Sequence, residues 1–487
     1  MASLFNQLGS RTNYKWWVAS VLFLGLLVTV ADFGEVSVAM PSISDHFESD
    51  LAVVQWLAIG NFLAISVFLL PMSRFADKVG RKKILVVGFL IFSLGAGLAG
   101  IAPNLGTLIF LRVVQGIALG MIQGNQMAIL MAIFPSEERG KILGFQMTLV
   151  GVGLIVGPVV GGLLTSWFGW RAIFYFNFPM GVICLLLIIL VLDERRVSSV
   201  QDVNKIIQFD WIGAVISAAT LIVFLIGLSN PFDWSLAYQL ALLLTSAVLA
   251  GAFVLWETNY SSPMLDLRLF AQPLFTSSVI SRIIIFLCVG PVIFLIPFYL
   301  QSVAGYTPGQ AGIILMTNAI GLLVAGPIAG RLSDRYGWRI FTVGGSLASA
   351  MGLLILSALS QDTALPIIVI GILLPSIGNG MFSAPSSAAI LSVVPGSSYG
   401  IISALIQLLR NTSMVTGIAT ATLITTLIMT NSGLDVNLGD ITGEADPAAA
   451  NAFVSAIRTV FLTMAGLQII GAVLSLYKGV SVPETSH

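Results

Sequence analysis

Charge is what this 487-residue sequence has least of: Asp, Glu, Lys and Arg together make up 9% of it, and 22 basic side chains balance 22 acidic ones. Soluble domains carry about 25% charged residues. A nucleic-acid partner calls for a basic excess, which is missing here. Histidine occurs only as His46 and His487, and cysteine only as Cys184 and Cys288, both inside apolar runs. Neither a metal-ligand cluster nor a disulfide framework can be assembled from so few residues, and no catalytic constellation is present, so an enzyme is not expected. No phosphate loop of the Walker type exists, which excludes ATP as a bound energy source. The run GAGLAG, Gly95 to Gly100, has the spacing of a dinucleotide fingerprint, but it lies within an apolar span with no strand before it.

What is present is hydrocarbon-compatible sequence: 57% of residues are hydrophobic. Apolar runs of about 20 residues recur along the whole chain, separated by short Gly, Pro or charged loops, which predicts an all-α integral membrane protein of about fourteen spans and not a barrel. If the N-terminus is cytoplasmic, the inner loops collect Arg74, Lys78, Arg81, Lys82, Lys83, Lys141, Arg195, Arg196, Arg331, Arg335 and Arg339, while the outer loops hold Asp45, Glu48, Asp50, Asp362, Asp435, Asp440, Glu444 and Asp446. The positive-inside rule then places both termini inside, in the cytoplasmic membrane. The first span reads as a retained helix and not a signal peptide, because it holds two acids and no small-residue cleavage site follows it.

Those acids are Asp32 and Glu35. A charge near the bilayer centre costs roughly 2.5–3.5 kcal/mol on insertion scales, so two of them need a use. Three residues apart, they share one helix face. The fourth span holds Arg112 with Gln115, Gln123 and Gln126, and a buried guanidinium needs an anionic partner, for which either acid serves. Glu35 has three readings that the residues leave open: it takes up a proton, attracts a cationic substrate, or neutralises Arg112. The second half carries Arg282 and Arg410 in its spans with no comparable acid. They are expected either to attract anionic or zwitterionic groups such as lipid headgroups or to bond to backbone carbonyls. Asn61, Gln146, Asn318, Asn379, Gln407 and Asn411 complete an expected polar lining of a central cavity.

Two loops repeat. PMSRFADKVGRKK, Pro71 to Lys83, and GPIAGRLSDRYGWR, Gly326 to Arg339, align Asp77 on Asp334, 334 − 77 = 257 residues later. Asp77 and Asp334 are placed to pair with neighbouring bases, Arg81 and Arg335 among them, or with a helix N-terminus and so hold one arrangement of the bundle shut, with plain positive-inside anchoring as the alternative. The fifth span contains GVGLIVGPVVGG, in which Gly153, Gly157, Pro158, Gly161 and Gly162 leave one face nearly bare for close helix approach, with a kink at the proline.

These motifs resemble the major facilitator superfamily. Asp77, Lys78, Gly80, Arg81 and Lys82 match its loop signature, with Ser73 in place of the leading glycine, and Gly330, Asp334, Arg335 and Gly337 match the weaker second copy. Arg112, Gln115, Gly116 and Gly120 resemble its fourth-helix motif, and the glycine-proline run resembles its antiporter motif. Trp170, Arg171, Phe174, Asn177, Pro179 and Gly181, together with PMLDLRLF (Pro263 to Phe270) and GYTPGQAG (Gly305 to Gly312), are similar to the fourteen-helix drug/proton antiporters. The first helix fits that subfamily at Asp32, Val36, Val38, Ala39 and Pro41 but departs from it at Gly34, Glu35 and Ser37. The resemblance implies two six-helix bundles, residues 1–192 and 263–487, with two additional helices in residues 193–262. It further implies a monomeric proton-coupled exporter of small amphipathic, drug-like compounds, drawing on the proton motive force without a cofactor. Asp32, Glu35 and Arg112 would carry the proton coupling. Export of lipids or lipid-linked molecules on the same fold is the alternative, and a non-transporting scaffold or receptor a remoter one.

Overall fold

The computed structural model describes residues 11–194, 210–232, 234–260, 267–394, 399–432 and 447–476. The basic loop from residue 195, the acidic stretch at 433–446, residues 263–266 of the PMLDLRLF motif, His487 and the Asp334 side chain lie outside the described part. Fourteen helices are long and apolar enough to cross a membrane, and no strand occurs among the described residues. They are α1 (Arg11–His46), α2 (Trp56–Val79), α3 (Arg81–Gly100), α4 (Leu105–Ile133), α5 (Ser136–Phe168), α6 (Arg171–Val191), α7 (Trp211–Ser229), α8 (Leu236–Asn259), α9 (Pro273–Phe298), α10 (Pro308–Tyr336), α11 (Trp338–Ser357), α12 (Leu365–Leu391), α13 (Tyr399–Asn431) and α14 (Pro447–Leu476). Hydrocarbon offers no hydrogen bonds, so the backbone must satisfy itself within each span, and only a helix does so segment by segment.

Helix ends are signalled locally. Asn104 Oδ1 accepts from the Thr107 amide at 2.8 Å, and Thr307 with Gln310 forms a capping box ahead of Pro308. Gly80 and Gly337 occupy equivalent places in the two repeated loops, with φ of 111° and 81°, a region that side chains with a Cβ rarely enter. The turn after α2 and the turn after α10 are therefore built from one local solution used twice.

The pairing of helices repeats as well. Within α1–α6, α1 packs on α5 and α6, α2 on α4, and α3 on α4 and α6; eight helices later, α9 packs on α13 and α14, α10 on α12, and α11 on α12 and α14. The two six-helix halves meet through α5 against α10 and α2 against α13, a reciprocal pair of contacts. The additional helix α7 lies over the second of these, against α2 and α13, where Trp56 Nε1 donates to Ser229 Oγ at 3.1 Å; α8 packs outside it.

The halves are joined at one end only by a common core. One apolar cluster runs from Val36 and Ile43 through Leu57 and Phe174 to Phe294, Ile314, Leu356 and Phe453, drawing on both halves. At the opposite end, which carries Arg81 and Arg335, the clusters are separate: Val18, Phe89, Ile122 and Cys184 belong to one half, Phe275, Ile390 and Leu405 to the other. Hydrogen bonds follow the same division. Ser37 Oγ donates to the Ile293 carbonyl at 2.9 Å, Gln301 Nε2 to the Val38 carbonyl at 2.8 Å, and the Gly309 amide to Ser166 Oγ at 2.8 Å, all at the shared-core end.

Candidate functional site

Asp32 and Arg112 meet, although 80 positions separate them. Arg112 Nη1 donates to Asp32 Oδ2 at 2.9 Å and Oδ1 at 3.1 Å, and to Gln115 Oε1 at 2.9 Å. The Arg112 side chain extends from α4 into a space that α1 and α6 close, and both charged groups are 1% exposed or less. Neither acid faces lipid. Asn61, also expected at the cavity, is buried between α2 and α4, where its Nδ2 donates to the Arg112 carbonyl at 3.0 Å.

Glu35 completes the cluster without an ion pair among the described residues. Its Oε2 accepts from Asn177 Nδ2 at 2.8 Å, and the same amide reaches Asp32 Oδ1 at 3.2 Å. One asparagine on α6 therefore bridges both acids of α1. Two buried carboxylates thus share one amide, only Asp32 holds the guanidinium, and Arg112 Nε and Gln115 Nε2 are left without partners. Asn177 was legible only as part of a matched pattern; its signal was a lone carboxamide in the apolar run of α6. Replacing it with leucine removes a hydrogen bond to charge and is expected to lower unfolding free energy by about 1.5–3 kcal/mol, read by thermal or denaturant unfolding of the purified protein.

The glycine-proline run of α5 surrounds this cluster from behind. A Cβ on Gly153 would sit 2.9 Å from Val30 Cγ1; one on Gly157 would strike the Ala31 carbonyl, and one on Gly161 the Glu35 backbone. Across the contact, a Cβ on Gly34 would lie 2.5 Å from Pro158 Cδ. The other face of α5 meets the second half, where Gly162 abuts Pro308 and Gly312 of α10 abuts Pro158. One helix therefore touches the acids' own helix on one side and the opposite half on the other.

The remaining expected residues scatter. Gln115 and Gln126 are buried, the latter donating to the Leu22 carbonyl at 2.8 Å. Gln123, Gln146, Asn318, Asn379, Gln407 and Arg410 are partly exposed. Asn379 Oδ1 accepts from Ser383 at 2.9 Å, the Asn318 carbonyl accepts from Ser376, and Gln146 Oε1 has no partner. Asn411 and Ser66 line a narrow seam between α2 and α13 with no room for a water molecule. Arg282 Nη1 donates to Ser387 Oγ at 3.1 Å, a hydroxyl partner and not the carbonyl that the sequence left open as one alternative. At the basic end Asp77 pairs with Arg81 of its own loop at 2.8 Å, four residues on, so this bond does not span the halves. Lys82 Nζ instead ties α3 to the Ile189 and Leu192 carbonyls at the end of α6, and Arg335 lies over the Tyr336 ring at 5.4 Å. Among the described residues no group of three His, Cys, Asp or Glu forms a metal site.

Comparison with known proteins agrees on the family. Residues 22–417 and 278–487 match the family model described as Major Facilitator Superfamily. The chain is 29% identical over 408 residues to the riboflavin transporter RibZ of Clostridioides difficile, covering 83% of this chain and 87% of that one. It is 32% identical over 391 residues to a multidrug resistance protein B homolog of Mycobacterium tuberculosis, covering 77% and 70%. Among solved structures, a bacterial homolog of the human lysosomal transporter Spinster, inward-facing and unoccupied, superposes with a TM-score of 0.71 at 17% identity, covering 96% of this chain and 98% of that one.

Proposed function

Since the chain belongs to the Major Facilitator Superfamily, a non-catalytic family of secondary transporters that move small solutes across membranes, we propose that it is a proton antiporter exporting amphipathic, drug-like compounds. The observation that carries this reading is the buried Asp32, Arg112, Asn177 and Glu35 cluster. With both acids ionised it holds one negative charge in excess, which a dry site penalises; with one proton bound it is balanced. Proton uptake and release thus change the cost of keeping α1, α4 and α6 together, and this links the proton to the tilt of the halves. Arg112 then holds Asp32 while the proton sits on Glu35, and favours release when the cavity reorients. The relatives named as drug-resistance proteins support the cargo class.

The basic loops favour an orientation with the joined-core end outside and both termini in the cytoplasm of the cell that houses it. This arrangement is then closed outward, in a monomer of halves 1–192 and 263–487 with the pair in 193–262 at its flank. One proton moving through about 100 mV supplies about 2.3 kcal/mol, enough for roughly a fifty-fold gradient of a neutral cargo.

The test is a pH gradient imposed on proteoliposomes loaded with amphipathic dyes. Wild type is expected to expel dye in step with proton entry, and Glu35→Gln, which holds no exchangeable proton at that position, to lose coupled exchange while retaining dye binding. Full proton-coupled exchange by Glu35→Gln and by Asp32→Asn would discard the site assignment. Rocking has its own check. A Cβ on Gly309 lies 3.3 Å from Ser166 Oγ, so the pair Ser166→Cys and Gly309→Cys is within disulfide reach. Oxidation is expected to arrest exchange and reductant to restore it; unimpaired exchange in a fully bridged sample would mean that this end does not open.

A further inference from the structure

The second half carries charge that the proton site does not use. Arg282 of α9 and Arg410 of α13 converge on one phenyl ring, Phe286, with guanidinium carbons 5.5 and 5.7 Å from its centroid. Arg282 is 4% exposed, donates to Ser387 Oγ, and leaves Nε without a partner. Arg410 is partly exposed, and its guanidinium lies over the same ring as that of Arg282. No carboxylate forms an ion pair with either among the described residues. The spans of this half contain no Asp or Glu apart from Asp334, at the far basic end of α10.

Arg112 makes the contrast plain: buried like Arg282, it is met by Asp32. Two guanidiniums around one ring repel each other, and the electron-rich face of Phe286 offsets only part of the cost of burying them. The missing partner is a counter-ion. Guanidinium forks match the oxygens of a carboxylate, sulfonate or phosphate, while the Phe286 ring, 3% exposed, backs the two arginines from within the core.

We propose that the Arg282, Phe286 and Arg410 cluster is the cargo's anion site, so that the transported compounds are aromatic or otherwise apolar molecules bearing an oxyanion. This deepens the export reading and rests on it for the fate of the ligand, though not for its binding. It also divides labour between the halves: the first half handles the proton through an excess of acid, the second handles the cargo through an excess of base. The oxyanion has two sources, a free aryl acid or an anionic lipid headgroup, which share this chemistry.

The experiment is equilibrium dialysis of three naphthalene probes against the full-length protein in phosphatidylcholine nanodiscs: 2-naphthoate, uncharged 2-naphthamide and cationic 2-naphthylmethylammonium. Naphthoate is expected to bind about tenfold or more tightly than naphthamide. Arg410→Gln should bring naphthoate down to the level of the amide while leaving the amide and the ammonium probe unchanged, and Arg410→Lys should fall between. Equal binding of all three probes by wild type, or naphthoate binding indifferent to a folded Arg410→Gln, overturns the proposal. Doping the discs with phosphatidylglycerol separates the sources. Displacement of naphthoate in wild type assigns the site to a lipid headgroup, and undiminished binding assigns it to a free solute. Both results retain the anion site. Binding without pH-driven export in liposomes would leave the site standing and remove the antiport reading, whereas dye-proton exchange without anion preference would do the reverse.

Discussion

Asp32→Ala is expected to cost about 3–5 kcal/mol of stability and to abolish proton-coupled exchange, because it leaves the Arg112 guanidinium charged, dry and unopposed. The loss has two parts. Arg112 Nη1 forfeits bonds of 2.9 and 3.1 Å, keeping only Gln115, and the Asn177 amide keeps only Glu35. Glu35 is the one acid left to balance the guanidinium, and it reaches Arg112 only if α1 rotates against the glycine face of α5. Denaturant unfolding in detergent measures the first loss and proteoliposome exchange the second. The pair Asp32→Asn with Arg112→Gln separates them, since it removes both charges together: stability should return toward wild type while exchange stays absent. A singly substituted Asp32→Ala protein with native stability and native exchange would show that the ion pair has neither role.

Gly157→Leu is expected to be as damaging by a different route. Its Cβ alone would strike the Ala31 carbonyl, so α1 must move off α5 before any larger side chain fits. Overpacking of this kind costs about 1–3 kcal/mol. The displaced segment carries Asp32 and Glu35 away from Arg112 and Asn177. Exchange should therefore fall to background even where the folded protein survives purification. Gly144→Ala on the same helix is the matched control, because nothing lies within 4 Å of the Cβ it would add. Gly312→Leu probes the other face of α5, where the obstacle is the Pro158 carbonyl, and should impair movement between the halves without disturbing the acids directly. Native exchange in Gly157→Leu would exclude a close α1 and α5 contact as a working part.

The acid and the arginine found each other as charge balance demanded, and the repeated loops foretold the repeated turns at Gly80 and Gly337. The polar lining was harder to read. Asn61, Gln115 and Gln126 carry the same signal in sequence as Gln123 and Gln146, a carboxamide amid apolar neighbours. Yet the first three are spent on the Arg112 carbonyl, the Arg112 guanidinium and the Leu22 carbonyl. Period tells which residues share a helix face, but the identity of the helix that covers that face is a long-range fact. Asp77 was easier: a base four residues on in the same loop takes its carboxylate, a local pairing that the spacing already offered.

By itself the sequence determined that this chain lives in hydrocarbon, crosses it fourteen times as helices, doubles one half into another and carries ionisable groups where they are expensive. Each of those follows from the solvation of single residues and from local spacing, which are readable along a line. Only the tertiary structure decided that Asn177 bridges Asp32 and Glu35, that Phe286 gathers Arg282 and Arg410, that α5 serves α1 and α10 at once, and that the halves share a core at one end alone. Those facts join positions hundreds of residues apart, as with Gln301 and Val38, 263 apart, and which of many apolar faces meet is set by close packing of the whole bundle.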